Sequence, residues 1–167
     1  PTKLNKMDFN GYKMNVVLQT NLDTWTKKVQ TNLTTRLNVD YRTIDNEWIN
    51  KLRKTYYVYG DAASDKSRTN DIKNYVAKVK KNKVIVKGKV SVEPSTLYYE
   101  AGGYCMRAYI KFKVVNAINM NVPEKDLIYG KSVYLPNLKK NQWVTMYVDI
   151  ELASANGLSS GKDMAVY

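Results

Sequence analysis

Lys83-Val84-Ile85-Val86-Lys87-Gly88-Lys89-Val90-Ser91-Val92-Glu93 opens a region that runs to Leu152 and decides the fold. Val84, Val86, Val90 and Val92 fall on one side of this segment, and Lys83, Lys87 and Lys89 on the other. A period of two with apolar residues on one side describes a strand buried on one face and wet on the other. The next long segment, Tyr104 to Ile118, repeats the pattern. There Met106, Ala108, Ile110, Phe112 and Val114 face one way, and Arg107, Tyr109, Lys111 and Lys113 the other. A further alternating segment, Gln142 to Leu152, turns Val144, Met146, Val148, Ile150 and Leu152 inward and Thr145, Tyr147, Asp149 and Glu151 towards water. Between these lies Leu127 to Leu135, whose apolar character predicts another strand. Pro94 and Ser95 break the first strand, and Gly102-Gly103 restarts the chain into the second.

Working outward from the strands, the amino-terminal half reads as helical. Asn10-Gly11 marks a turn, followed by a short apolar segment from Met14 to Leu18. Capping residues from Thr20 to Asp23 then precede Leu22, Trp25, Val29, Leu33 and Leu37, spaced by three and four as in an amphipathic helix. Thr24, Thr26, Thr31, Thr34 and Thr35 are mediocre helix formers, so this helix depends on packing. Asn38 to Ile44 is β-prone and predicts a short strand or an extended connection. Asp45 caps a second helix whose stripe is Trp48, Ile49, Leu52, Tyr56 and Tyr59, opposite Asn50, Lys51, Arg53 and Lys54. Gly60 to Arg68 reads as a polar loop, and a third helix from about Thr69 buries Ile72, Tyr75, Val76 and Val79.

Helices first and antiparallel strands afterwards predict one α+β domain over residues 1–167. Its helical part covers about 18–82, its sheet part about 83–152, and a flexible tail 153–167. Within that tail Met164 to Tyr167 either pair elsewhere or continue outward. The expected architecture is three amino-terminal helices packed on one face of a curved antiparallel sheet of about four long strands. This order resembles the NTF2-like, or cystatin-like, superfold, including extracytoplasmic domains of conjugation proteins of the VirB8 and TcpC type. Asn38-Val39-Asp40-Tyr41-Arg42-Thr43-Ile44 with Trp48 is also similar to a segment of uncharacterised exported Gram-positive proteins, sometimes linked to copper-amine-oxidase-type amino-terminal domains. Neither resemblance carries a catalytic residue or a cofactor onto this chain.

Composition narrows the chemistry. The 27 Lys and Arg against 15 Asp and Glu give a formal charge of +12, which favours anionic partners: nucleic acid, anionic lipid, a wall polymer or an acidic protein. There is no histidine, so the commonest general base, the Ser-His and Cys-His nucleophile pairs and the commonest metal ligand are missing. One cysteine, Cys105, provides neither an intramolecular disulfide nor a cysteine zinc site. Asp40, Asp45, Glu93 and Glu100 lack catalytic or calcium spacing, and Gly102-Gly103 lacks the context of a phosphate loop. The expectation is a protein without enzymatic activity, cofactor or metal. No apolar run is long enough to span a bilayer.

Two surfaces stand out as binding candidates. The first is the cationic stripe of Lys83, Lys87, Lys89, Arg107, Lys111 and Lys113, with Tyr109 among them, suited to a polyanion. Its aromatic interleaving is thin along the strands, and no RNA-binding RNP, KH or helix-turn-helix signature accompanies it. The second is an aromatic interface of Tyr56, Tyr57, Tyr59 and Tyr109, since the 14 tyrosines suit interfaces that bury area and keep a hydrogen-bonding handle. The abundance of Asn, Lys and Tyr points to a low-GC Gram-positive source. A chain beginning at Pro1 predicts a trimmed upstream signal, anchor or domain. The reading is therefore a binding or assembly module of an exported surface protein, with another protein or an anionic surface polymer as partner. The alternatives are a conjugation or secretion subunit that touches nucleic acid and, third, an enzyme with a carboxylate-lined cavity.

Overall fold

The computed structural model describes residues 12–57, 61–100, 103–130, 138–153 and 165–167. The domain is α+β. Helix α1 spans Tyr12–Arg36, α2 Asn46–Arg53, α3 Ala62–Lys81 and the one-turn α4 Glu124–Leu127. The strands are β1 Val39–Asp40, β2 Ile85–Val92, β3 Tyr98–Glu100, β4 Gly103–Asn116, β5 Val144–Ala153 and β6 Ala165–Val166. They form one antiparallel six-stranded sheet in the order β1-β2-β4-β5-β6, with β3 paired to the start of β4.

The alternation of the three long strands is obeyed. Val86, Met106, Ala108, Ile110, Phe112, Val114, Val148 and Leu152 are buried, while Lys87, Lys89, Tyr109, Thr145, Tyr147 and Asp149 are exposed. Helix α1 lies against β2 and β6 and delivers Trp25, Val29 and Leu33 into the core, where the Trp25 ring meets Tyr104 with centroids 6.0 Å apart. Helix α2 packs on α1 and α3, and α3 on α2 and α4. A single cluster joins helix and sheet side chains. Burial of each large apolar side chain contributes roughly 1.5–3 kcal/mol, which lets a threonine-rich helix persist.

Several expected boundaries differ. Helix α1 begins at Tyr12, so Thr20 to Asp23 lie inside it and do not cap it. The Asn10-Gly11 turn lies outside the described residues. Helix α2 ends at Arg53, and Tyr56 leaves the helical stripe to bridge Val166. Arg53, expected on the wet face, is half-buried and pairs with Asp65. The expected loop from Asp61 to Arg68 is helix: Asp61 accepts the Ser64 N–H at 2.7 Å and caps α3, which starts at Ala62, seven residues before Thr69. Leu127 to Gly130 form no strand, since the α4 turn ends at Leu127, whose carbonyl accepts the buried Tyr75 hydroxyl at 3.0 Å. Residues 131–135 of that expected strand lie outside the described residues. Thus three long strands are described, not four.

The break at Pro94 is also less than a break. Pro94–Thr96 form a 3-10 turn, after which β3 continues along the same edge of β4. The Glu93 N–H donates to the Arg107 carbonyl at 3.0 Å, and the Arg107 N–H donates to the Thr96 hydroxyl at 3.0 Å, so the ladder is bridged across the turn. At the other end, the expected tail contributes a strand. Val166 donates to the Thr55 carbonyl at 3.0 Å and accepts from the Tyr57 N–H at 2.7 Å, while β6 also pairs with β5. Residues 154–164 lie outside the described residues.

The edge of β2 beyond β1 is closed by side chains of α1 and the residues just after it. The Gln30 amide donates to the Val90 carbonyl at 3.1 Å and accepts from the Val92 N–H at 3.3 Å. Asn38 does the same at Gly88, donating to its carbonyl at 3.1 Å and accepting from its N–H at 3.4 Å. Each amide reproduces the donor and acceptor of a neighbouring strand, which blunts an edge that would otherwise template pairing. The double variant Gln30→Ala/Asn38→Ala is expected to lose about 1–2 kcal/mol of stability and to self-associate. Urea unfolding together with light scattering checks this, and an unchanged midpoint in a monomeric variant would show that the amides do nothing for the edge.

Candidate functional site

The wet face of the sheet is assembled by register. Across β2 and β4, Lys87 stands opposite Lys113 and Lys89 opposite Lys111; on the far side of β4, Lys111 faces Thr145 and Tyr109 faces Tyr147. Tyr109 also stands opposite Ser91 on β2. Two like-charge pairs directly across a ladder are unfavourable, each by up to about 1 kcal/mol. The sheet therefore carries a local electrostatic cost at this place.

Aromatic rings sit within the cationic patch. Trp143, just before β5, has its ring centroid 5.1 Å from Lys111 Nζ and 4.9 Å from Lys113 Nζ. This is cation–π distance, which partly offsets the lysine repulsion. The Tyr109 and Tyr147 rings meet at 5.4 Å. All three rings remain open to solvent: Tyr109 is 39% exposed, Trp143 45% and Tyr147 69%. Trp143 is brought there by the turn before β5, in which Asn141 takes a φ of 62° and donates its N–H to the Val114 carbonyl.

Not all six expected cations join this patch. Arg107 is held by Asp149 in a two-pronged pair, Nε to Oδ1 at 2.8 Å and a terminal nitrogen to Oδ2 at 2.9 Å. That hydrogen bonding pulls the Asp149 carboxyl below its ordinary range. Lys83 precedes β2 in a turn with a φ of 50°, outside the strand ladder. The working patch is Lys87, Lys89, Lys111 and Lys113. Asp40 lies near Lys87, but Arg42 already occupies it, and hydrogen bonds from Arg42 lower its pKa to about 2.

The opposite end of the face is different in character. Cys105 is half-buried opposite Glu151 and beside Tyr98, whose hydroxyl is pushed up to about 12, chiefly by burial and secondarily by Cys105 and Asp149. Of the expected aromatic interface, Tyr56 offers no accessible surface. Tyr56 is 4% exposed, packed edge-on against Tyr129 and covered by the Arg68 guanidinium at 4.6 Å. Tyr57 is half-buried, and Tyr59 lies outside the described residues. Tyr109 belongs to the sheet face. Two of the other acids noted in the sequence serve local structure: Asp45 caps α2, and Glu93 accepts from the Ser95 N–H and hydroxyl.

No family model, curated protein or solved structure matches this chain. Its chemistry is read from its own geometry. An open groove of about 690 Å³ between α1 and α2 is lined by Lys27, Lys28, Lys51 and Lys54 together with threonines, Asn50 and one carboxylate, Glu47. A lone carboxylate among lysines is not the pair of carboxylates that glycoside hydrolysis uses. Among the described residues, no group of three or more Cys, Asp or Glu is placed to hold a metal, and no helix is long and apolar enough to cross a membrane.

Trp143 and its relation to the lysines were missed by reading along the strands. Tyr147 was legible as water-facing through its alternation, but its contact with Tyr109 depends on register. The signal available in the sequence was the position of Trp143 one residue before an alternating strand. That position continues the outward series Thr145, Tyr147 and Asp149.

Proposed function

We propose that this chain is a non-enzymatic binding module whose exposed sheet face engages a polyanion. One observation carries the reading: Lys87–Lys113 and Lys89–Lys111 stand directly opposite each other beside an exposed tryptophan, with no carboxylate among the paired positions. A solvated surface gains nothing from like charges in register, whereas an anionic polymer laid across both pairs removes their repulsion and releases its counterions. The formal charge of +12 supports steering of such a partner.

The helix-first order and the long antiparallel strands favour an NTF2-like arrangement, and the low-GC composition favours an exported Gram-positive surface or secretion protein. Heparin affinity measured against salt tests the core of the reading. With four lysine contacts, the affinity is expected to fall by roughly 100-fold between about 50 and 200 mM salt. Absence of retention at low salt, or retention indifferent to salt, would overturn it.

A further inference from the structure

We infer that the polyanion is a single-stranded nucleic acid, bound with its bases stacked on Trp143 and on the Tyr109–Tyr147 pair. This deepens the polyanion reading and rests on it. Phosphate charge alone explains the lysines but leaves the rings unexplained. Two tyrosines and a tryptophan stand open on the wet side of a sheet whose core has ample room for aromatics, as Trp25 and Tyr104 demonstrate by being fully buried. A base-free polymer offers these rings at most the aliphatic face of a sugar and no aromatic partner. Every nucleobase does, and aromatic platforms flanked by cations bind single strands with little regard to sequence.

The layout of the face agrees with that ligand. Ser91, Tyr109 and Tyr147 form one row across the sheet; Lys89, Lys111 and Thr145 form the next; Lys87 and Lys113 begin a third, with Trp143 beside them. Rows on one face are separated by roughly 6.4–6.8 Å, a step suited to successive nucleotides of an extended strand. A row of rings, a row of lysines and a row holding both therefore follow one another in the direction a strand would run. A duplex fits poorly, because its bases are already stacked and its backbone would meet the lysines while leaving the rings unused. The Asp149 and Glu151 end of the face, where Arg107 is already paired, marks where the favourable surface stops.

Fluorescence anisotropy with three labelled probes tests this: oligothymidylate, an abasic oligomer of equal length, and a DNA duplex, with heparin as an unlabelled competitor. Oligothymidylate is expected to bind about 10-fold or more tightly than the abasic oligomer. The variant Tyr109→Leu/Tyr147→Leu should lose about 5- to 100-fold towards oligothymidylate and leave heparin and abasic binding unchanged. Tyr109→Phe/Tyr147→Phe, which keeps the rings, should retain wild-type binding, and circular dichroism melts establish that each variant is folded. Equal binding of the abasic and base-bearing oligomers, or tighter binding of duplex, overturns the single-strand inference while the polyanion reading stands. Failure to bind any probe or heparin at low salt overturns both.

Discussion

Replacing Lys87 and Lys89 together by glutamate is expected to weaken polyanion binding and, at the same time, to stabilise the fold. The two effects have one cause. In the native sheet these residues oppose Lys113 and Lys111, so the substitution converts two like-charge cross-strand pairs into opposite-charge pairs. Stability should rise by about 1 kcal/mol in total, or roughly 2–4 °C in melting temperature for a domain of this size. The Asp40 carboxylate near position 87 offsets little of this, because Arg42 already neutralises it. Binding loses two cations and meets two anions, so affinity for heparin or oligothymidylate at about 50 mM salt should drop on the order of 100-fold. Thermal melts and anisotropy on the same preparation check both signs. A variant that binds as well as the wild type would remove these lysines from the site, and one that melts lower would contradict the assigned register.

The second large effect is expected at Gly88, on the inner face of the same strand. A Cβ built there would lie 2.8 Å from Leu37 Cβ, 3.1 Å from the Leu37 carbonyl oxygen and 3.1 Å from Phe112 Cβ. These neighbours are backbone or first side-chain atoms and cannot swing away. Gly88→Ala should therefore destabilise by about 1–2 kcal/mol, even though alanine removes glycine's entropic disadvantage in a strand. Gly88→Val should lose about 3 kcal/mol or more, lowering the melting temperature by roughly 6–12 °C. The damage should spread, because Leu37 follows α1 and Asn38 clamps the Gly88 backbone. Pushing this segment outward reopens the β2 edge. A Gly88→Ala variant that melts above the wild type would show that α1 is not held this close.

Where a residue's role depends on its immediate neighbours along the chain, it was legible. The inward and outward faces of β2, β4 and β5, the Trp25-Val29-Leu33 stripe and the Asp45 cap all follow from spacing. The start of α3 was misread because Asp61 to Arg68 is polar. Yet Asp61 followed by two alanines is a helix start, and contacts made by Asp65 to Arg53 and by Arg68 to Tyr56 hold its first turns. Leu127 was expected in a strand because it is apolar, but apolar character alone does not separate a strand from a buried helical turn. Tyr56 was expected in a binding surface because it belongs to the cluster of Tyr56, Tyr57 and Tyr59, whereas its pairing with Val166 depends on a segment 110 residues away in sequence.

The sequence by itself determined which side of each long strand is wet and that on β2 and β4 this side is basic, because alternation is a local property of extended backbone. It also determined the absence of histidine, which removes the commonest general base. The tertiary structure alone decided that Lys87 meets Lys113, that Trp143 joins Lys111 and Lys113, and that Arg107 is occupied by Asp149. Register, turn geometry and side-chain reach between strands set those contacts, and none of them is encoded in the periodicity of a single strand.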